Sequence, residues 1–382
     1  MLQQYYVSTP EQLEELCELL QGSAAIALDT EFMREKSYYA NLCLLQIAND
    51  NLIACVDPLA LEDLGPLLDI IYDQNILKVM HAARQDLEIL NDIRGSLPGP
   101  LFDTQIAATL LGYGDQVSYG TLVRDTLNVE LDKSHTRTNW AQRPLDPGQL
   151  RYAEDDVRYL LEISQIQMRK LDDMGRHGWL DEDFSELISD KNYNKPPSEA
   201  WQRIRGIRVL KGRHLAVLKE LAAWREERAR KVDKPRKWIL RDDVLVDLAR
   251  RMPVSTAKLR TMRGIESQTV KKIGEDIVGV IENAMSLPED QWPSLGFRFS
   301  PSAEQEILVD GMMAVARYCG LKNGISPAAL ATRRDLEQLL AGGQDHSILH
   351  GWRGMLVGRE LTNFLEGGTK LFVVDGVLEL EK

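Results

Sequence analysis

Cysteine is scarce in this sequence of 382 residues, and its four copies are scattered along the chain. No C-x-x-C pair is present and no histidine follows a cysteine at zinc-ligand spacing, so we expect reduced thiols without disulfides or zinc. Long apolar runs are lacking too, since no segment approaches the ~18 residues that a membrane span needs. The N-terminal residues are acidic where a secretory signal would be basic and then apolar. We therefore expect a cytoplasmic protein without membrane association.

Charge is distributed unevenly along the chain, whose total net charge is −12. Residues 1–190 carry a net charge of −19, residues 191–299 carry +10 and residues 300–382 carry −3. A break of this size indicates a domain boundary, and the basic segment indicates a polyanionic partner. The length also exceeds what one ordinary hydrophobic core supports, so two or three domains are expected.

The first hundred residues have the pattern of an α/β domain. Residues 24–32 read AAIALDTEF and predict a buried strand, residues 42–48 and 52–56 predict a hairpin, and residues 76–81 predict a further strand. A helix is expected over 84–93 and one long helix over about 147–174. Residues 193–198 predict a linker, after which the whole pattern is helical. A faint similarity between residues 239–248 and 330–339 suggests two copies of one helical domain.

Asp29 and Glu31 end the first buried strand. Side chains two residues apart point to the same face of a strand, so the two carboxylates should lie together at the edge of the sheet. Like charges held close favour a cation between them, which predicts half of a divalent-metal site. The alternative is a solvated strand end, and the pair by itself does not decide between the two.

Three later residues bear on that choice. Asp86 falls near the first turn of the helix over 84–93, where an acid is also favoured by the helix dipole. Tyr152 and Asp156 are four residues apart on the long helix and therefore share a face. A tyrosine one turn from an aspartate can orient a water molecule that metal-bound carboxylates hold.

Asp29-x-Glu31, Asp86 and Tyr152-x-x-x-Asp156, in this order and spacing, resemble the three motifs of the DEDD superfamily of 3′–5′ exonucleases. Tyr152 places the chain with the tyrosine (DEDDy) subgroup. The segments ALDTEF, VMHAARQDLEIL, LDKSHTRTNW and YAEDDVRYL resemble the ribonuclease D family. The helical remainder resembles the helicase and ribonuclease D C-terminal (HRDC) domain, twice.

The resemblance implies a fold and a domain layout. We expect an RNase H-like α/β exonuclease domain with a mixed sheet over residues 1–190. Two all-α domains should follow it: a basic HRDC domain over 205–292 and a diverged HRDC-like domain over 296–382.

The resemblance also implies a mechanism: hydrolysis of RNA from the 3′ end with two divalent ions, Mg²⁺ or Mn²⁺, and release of nucleoside 5′-monophosphates. Hard cations prefer the oxygen ligands that carboxylates supply. Asp29, Glu31, Asp86 and Asp156 would be the metal ligands, with Tyr152 positioning the attacking water. The implied substrates are tRNA precursors or other structured RNA 3′ ends, acted on by a monomer without an obligate protein partner.

Other residues are weaker candidates for contact with the substrate, each with a structural alternative as core, edge or loop residue. They are Phe32, Met33, Gln46, His81, Arg137 and Trp140.

The basic stretch over residues 203–241 contains 14 lysines and arginines against four acids, interleaved with Trp201, Trp224 and Trp238. Phosphates and stacked bases are recognised by this combination, although many charge runs are only solvated faces. The residues expected to capture RNA are Arg228, Arg230, Lys231, Arg236 and Lys237.

Two other functions fit part of the pattern. The four acids do not distinguish ribose from deoxyribose, so a DNA exonuclease of the same superfamily remains an alternative. A non-catalytic nucleic-acid-binding scaffold is the other, but it predicts the loss of a carboxylate, and all four are present.

Overall fold

The computed structural model describes residues 2–132, 138–295, 299–343 and 347–381. The chain divides into two compact units. Unit 1 comprises Met1–Phe32, Leu42–Ser189 and Arg298–Lys382, and unit 2 comprises Met33–Asn41 and Asp190–Phe297. Within the described ranges no helix has the length and apolar character to cross a membrane. All four cysteines lie in these ranges and are thiols, as expected.

A mixed six-stranded sheet forms the centre of unit 1 and confirms the predicted α/β class. Its strands are β1 (Gln3–Val7), β2 (Ala25–Met33), β3 (Asn41–Ala48), β4 (Leu52–Val56), β5 (Leu77–Met80) and β6 (Leu101–Asp103), in the spatial order β1-β4-β3-β2-β5-β6. The predicted hairpin is present as the antiparallel pair β3–β4, whereas β1–β4, β2–β5 and β5–β6 are parallel.

Eight helices accompany the sheet in the described part of residues 1–189. They are α1 (Pro10–Leu20), α2 (Gly65–Ile71), α3 (Arg84–Arg94), α4 (Thr104–Leu110), α5 (Tyr119–Leu127), α6 (Pro147–Arg158), α7 (Leu160–Asp173) and α8 (Leu180–Leu187). The single long helix predicted over 147–174 is wrong, because it is interrupted at Tyr159. The Tyr159 N–H donates to the hydroxyl oxygen of Tyr119, a tertiary contact that no local pattern reveals.

Unit 2 has a helical core of its own. Its helices are α9 (Arg213–Lys231), α10 (Arg236–Ile239), α11 (Asp242–Arg251), α12 (Thr256–Arg260) and α13 (Ser267–Met285). Leu218 and Leu221 of α9 pack with Leu245 of α11 and Ile277 of α13, all fully buried. Short 3-10 turns over Pro197–Arg203 and Ile207–Val209 precede α9.

The C-terminal helices share the core of the α/β domain of unit 1. They are α14 (Ala303–Asn323), α15 (Pro327–Leu330), α16 (Arg333–Leu340), α17 (Gly351–Arg353), a π-helical turn (Gly354–Gly358) and α18 (Arg359–Leu365). Val309 and Met312 of α14 belong to the same hydrophobic cluster as Phe102 of β6 and Leu110 of α4. At one close approach a Cβ on Gly112 would lie 2.8 Å from the Gly324 carbonyl oxygen.

A hairpin follows these helices, so the prediction that the region over 296–382 is all-α is wrong at its end. Strands β7 (Lys370–Val374) and β8 (Val377–Glu381) pair antiparallel. Asp375 and Gly376 connect them with φ angles of 51° and 79°, the left-handed pair that a two-residue hairpin turn requires. The Asp-Gly dipeptide was the sequence signal for this hairpin.

A buried lysine joins the start of β5 to the loop before β6. The Lys78 Nζ donates to the carbonyl oxygens of Asp73 at 2.7 Å, Ile76 at 2.6 Å and Gly99 at 2.5 Å. All three ammonium hydrogens are therefore used, which compensates for the burial of the charge. Burial still lowers the pKa of Lys78 to about 8.

Candidate active site

The site begins at the end of β2. Ile26, Ala27 and Leu28 are buried, and Asp29 and Glu31 follow them, both half-buried. The apolar run fixes the strand in the sheet, so the two carboxylates are held by a rigid element, as the pattern predicts. Thr30 lies between them and is buried.

Asp156 of α6 joins these two acids. One carboxylate oxygen each from Asp29, Glu31 and Asp156 lie within 4.8 Å of one another. The three acids come from two elements that are more than a hundred residues apart in sequence. Because this set offers oxygen donors without cysteine or histidine, its chemistry suits a hard divalent cation.

Asp86 stands beside this group, in the first turn of α3. Its Oδ1 accepts a hydrogen bond from the Thr30 hydroxyl at 2.5 Å, and both side chains are buried. Thr30 thus fixes the fourth carboxylate from the strand that carries the first two. This contact was missed in the sequence, where the middle residue of D-T-E gives no signal of its own.

The carboxyl groups affect each other electrostatically. Burial, and then the charges of Asp86 and Asp156, raise the pKa of Asp29 well above its usual range. Burial and the charges of Asp156 and Asp86 raise the pKa of Glu31 to about 8. The pKa values of Asp86 and Asp156 are raised as well, with burial as the main cause in each. The folded chain therefore concentrates negative charge where a cation would stabilise it.

Tyr152 lies on α6, one turn before Asp156, as its spacing predicts. Its ring centroid is 6.1 Å from that of Trp140, and the two planes are inclined by 36°. Trp140 is only 3% exposed. Trp140 therefore packs against the predicted water-positioning tyrosine, and its predicted contact with the substrate stays a prediction.

An ion pair that sequence reasoning missed fixes the loop around Trp140. The Arg143 guanidinium donates to both Asp57 carboxylate oxygens, at 2.6 and 2.7 Å. It also donates to the carbonyl oxygens of Trp140 at 2.7 Å and Cys43 at 2.6 Å. Asp57 and Arg143 are 86 residues apart, so no local pattern connects them.

The remaining substrate candidates have different surroundings. Both His81 ring nitrogens have partners: Nδ1 lies 2.9 Å from the Thr104 hydroxyl, and Nε2 donates to the Val117 carbonyl at 3.0 Å. Gln46 is fully buried, and among the described residues no hydrogen bond reaches its amide. Phe32 and Met33 are half-buried directly after the acids. Arg137 lies outside the described residues.

The predicted RNA-capturing residues lie in unit 2, where several already have acidic partners. Arg228 pairs with Asp276 at 3.1 Å. Arg230 and Arg236 both contact Glu226. Lys231 and Lys237 are exposed.

The three tryptophans near these residues differ in exposure. Trp201 is buried in the core of unit 2, Trp224 is half-buried, and Trp238 is 60% exposed. Of the three, Trp238 can offer its ring to a base.

Comparison with known proteins finds two matching family models and several similar full-length relatives. Residues 4–172 match the family model described as 3′–5′ exonuclease, and residues 214–281 match the HRDC domain. The chain is 38% identical to ribonuclease D of Sphingobium indicum over 381 residues, 98% of both chains. It is 32% identical to ribonuclease D of Bartonella henselae over 380 residues, 98% of this chain and 93% of that one.

A solved structure extends the similarity to the fold. The crystal structure of Escherichia coli RNase D, described as an exoribonuclease involved in structured RNA processing, superposes with a TM-score of 0.82 at 33% identity. The match covers 95% of this chain and 98% of that chain. With these similarities over nearly the full length, the chain belongs to the ribonuclease D family of 3′–5′ exoribonucleases.

Proposed function

We propose that the acidic cluster of unit 1 removes nucleotides one at a time from RNA 3′ ends and releases nucleoside 5′-monophosphates. The observation that carries this proposal is the convergence of Asp29, Glu31 and Asp156 within 4.8 Å, with Asp86 held beside them. Such a group of carboxylates repels a polyanion unless cations are bound, so its chemistry is that of a metal-dependent hydrolase.

The donor set supports two divalent ions, Mg²⁺ or Mn²⁺, as cofactors. Asp29, Glu31 and Asp156 would hold them, and Asp86 would complete the set from α3. When bound, such ions lower the pKa of a coordinated water and neutralise charge that develops on the phosphate. The absence of cysteine and histidine among the clustered ligands argues against zinc or copper.

Each protein group has a task in this proposal. Tyr152 shares a helix with Asp156 and would hold the attacking water through its hydroxyl. Trp140 packs on the Tyr152 ring and restricts its orientation, while Arg143 fixes the Trp140 backbone. The Thr30 hydroxyl holds one Asp86 oxygen and leaves the other for the site.

We infer that unit 2 supplies affinity for RNA, because unit 1 is strongly acidic in sequence. The net charge of +10 over residues 191–299 supports a role of unit 2 in binding the RNA phosphates. Arg228, Arg230, Lys231, Arg236 and Lys237 remain the proposed capture residues. Phe32, Met33, Gln46, His81, Arg137 and Trp140 remain proposed substrate contacts. We further propose a cytoplasmic monomer that acts on tRNA precursors.

We also propose that the C-terminal helices are a second, diverged HRDC-like domain. In both regions a long helix, α9 or α14, leads to a four-residue helix, α10 or α15, and then to a helix of eight to ten residues. The repeated order supports duplication. A circular-dichroism and chemical-shift study of residues 299–381 produced alone would show whether this region folds by itself.

The exonuclease is tested with 5′-labelled tRNA precursor and matched single-stranded DNA, each incubated with Mn²⁺ or with EDTA. Wild-type protein should shorten the RNA in single-nucleotide steps and release 5′-monophosphates. Asp29→Asn should reduce the rate at least about a thousandfold, since it weakens cation binding. Asp50→Asn, at an exposed turn, is the matched control and should behave as wild type.

Three results would contradict the proposal. Internal cuts would contradict exonuclease action, and equal degradation of DNA would contradict specificity for RNA. Full activity in EDTA, or in Asp29→Asn, would remove the metal-binding role of the cluster.

A further inference from the structure

Unit 2 contains an open cavity of about 450 Å³. Its walls come from residues 34–38, from the 3-10 turn Pro197–Arg203 and from α9, α10 and α11. The lining combines charged side chains with apolar atoms of Ile204, Pro235 and Trp238. Cavities of this size and mixed lining bind small ligands or single residues of a polymer.

The wall of the cavity around Tyr38 is held by a partly buried hydrogen-bond network. The Tyr38 hydroxyl donates to Glu226 and accepts from Arg230 at 3.0 Å and from Arg236 at 3.1 Å. The Asp233 carboxylate accepts the backbone N–H of Tyr38 at 2.9 Å. These contacts fix the segment and the adjacent helix end together, so the cavity is preformed.

The charges that line the cavity do not balance. Arg225 pairs with Asp242 at 2.8 Å, and Arg236 pairs with the buried Glu226. Arg203 and Lys237 are exposed, and nothing in the described part of the chain forms an ion pair with either. The exposed Glu35 also lines the cavity, so the two cations exceed this one acid and leave a positive surplus for an incoming anion.

Trp238 stands next to Lys237 on α10 and is 60% exposed. Much of its indole ring is therefore open to solvent where it lines the cavity. Base stacking on an aromatic ring needs this exposure, and stacking together with phosphate contacts is the usual way to hold a single strand without reading its sequence.

We propose that this cavity is a nucleotide-binding subsite for single-stranded RNA. Trp238 stacks on one base, and Arg203 and Lys237 contact the phosphates on either side of it. The proposal rests on the proposed RNA-degrading function and adds a specific place where the strand is held. It adds Arg203 to the proposed capture residues and places Lys237, one of those already proposed, at a defined position beside Trp238.

The test measures binding and hydrolysis separately. Binding of a fluorescent 20-nucleotide oligoadenylate is followed by anisotropy in the inactive Asp29→Asn background, at several salt concentrations. Trp238→Ala should weaken binding about tenfold, whereas Trp238→Phe, which keeps a ring, should weaken it less. Arg203→Gln with Lys237→Gln should lower the slope of log affinity against log salt by roughly 1.4, the value for two phosphate contacts.

The matched control is Lys271→Gln with Lys272→Gln, which removes the same charge from an exposed part of α13 that does not line the cavity. If this control weakens binding as much as the cavity variant, the effect is only general electrostatic attraction and the subsite is refuted. Unchanged affinity in Trp238→Ala would refute it too.

Hydrolysis separates this proposal from the one it rests on. A 5′-phosphorylated diribonucleotide has too few phosphates to fill a second subsite while it is being cleaved. In the active background, cavity variants should therefore raise the KM for the 20-mer by a larger factor than the KM for the dinucleotide. Wild-type protein that cleaves neither RNA refutes the exonuclease function, whereas the binding comparison still decides the subsite.

Discussion

The two helical regions that follow the nuclease domain have a similar order of helices and different cores. Helices α9 to α13 pack among themselves in unit 2. Helices α14 to α18 instead share a hydrophobic cluster with β6, α4 and α7 in unit 1. The first region carries the positive charge of the chain, and the second is slightly acidic.

Polar contacts reinforce the difference. Arg353 of α17 pairs with Asp183 of α8 at 2.7 Å, and the Ser326 hydroxyl donates to Asp115 at 2.6 Å. The Trp352 ring stacks on Trp179, with centroids 5.2 Å apart. A helical domain that becomes part of another domain's core stabilises it, whereas one with its own core can offer its surface to a ligand.

The largest effect is expected from Trp352→Ala, which should cost about 3–5 kcal/mol of unfolding free energy because it empties a buried aromatic site. Since the core is shared, hydrogen exchange should accelerate in β2 as well as in α14. Trp201→Ala removes the same side chain from the core of unit 2, where it is 7% exposed, and should accelerate exchange in α9 and α11.

Hydrogen exchange followed by mass spectrometry checks both variants. If Trp352→Ala loosens α14 to α18 and leaves β2 protected, the shared core does not act as one cooperative unit.

A second comparison uses two glycines of the turn after α4. Gly112 has a φ of 81°, and an added Cβ would meet the Gly324 carbonyl oxygen at 2.8 Å. Gly112→Ala should therefore lower the free energy of unfolding by about 2–3 kcal/mol, because of backbone strain and the clash with the C-terminal region. Gly114→Ala, with a φ of 96° and open space around it, should cost only about 1–2 kcal/mol. Urea denaturation gives both values, and equal losses would show that the close approach contributes nothing.

In unit 2 the sharpest probe is Tyr38→Phe, which deletes the hydroxyl shared by Glu226, Arg230 and Arg236. The free energy of unfolding should fall by about 1–2 kcal/mol, because the buried Glu226 loses the Tyr38 hydroxyl as a donor and keeps Arg236. Tyr39→Phe is the control, since Tyr39 is 37% exposed and its hydroxyl takes no part in these hydrogen bonds. Thermal unfolding of the two variants should differ by a few degrees, and identical curves would contradict the role of the network.

The folding stabilities of the two units should also change in opposite directions with pH. The pKa of Glu31 is raised to about 8, so the metal-free folded state binds more protons than the unfolded chain between about pH 5 and 8. Stability of unit 1 should therefore fall as pH rises through that window. Burial alone would raise the pKa of Glu226, but hydrogen bonds from Arg236 and Tyr38 lower it. The stabilisation of unit 2 by ionised Glu226 should therefore be lost only as pH falls below the usual glutamate range.

Melting in EDTA from pH 5 to 8 tests this contrast, with Glu31→Gln as the control that should weaken the trend but not abolish it, because the pKa values of Asp29, Asp86 and Asp156 are raised as well. Adding Mn²⁺ at pH 8 should raise the melting temperature, because the ionised carboxylates then gain a cation. A melting temperature that is independent of pH and Mn²⁺ would contradict the electrostatic description of the site.

Sequence reasoning predicted the members of the acidic cluster from local patterns. Asp29 and Glu31 follow the apolar run of β2, and Tyr152 and Asp156 are one helical turn apart. The sheet and its hairpin followed from runs and turns of the same kind. The HRDC assignment of the basic region rested on resemblance, and the family match over residues 214–281 confirms it.

The supporting contacts could not be read in this way. Thr30 with Asp86 and Arg143 with Asp57 join residues 56 and 86 positions apart, and they exist only once the sheet and helices have assembled. The break between α6 and α7 at Tyr159 was missed for the same reason, because the contact with Tyr119 forms only in the assembled fold. The terminal hairpin differs, because its Asp-Gly turn was visible and the helical pattern around it took precedence.

Lys78 has a consequence for chemical labelling. An amine with a lowered pKa is ordinarily among the first to react with acylating reagents, because more of it is unprotonated. Lys78 is fully buried, so it should stay unmodified while the exposed Lys237 is labelled quickly. Its modification requires β5 to separate from its surroundings. The rate of acylation at Lys78, read by mass spectrometry, therefore reports how often the central sheet opens.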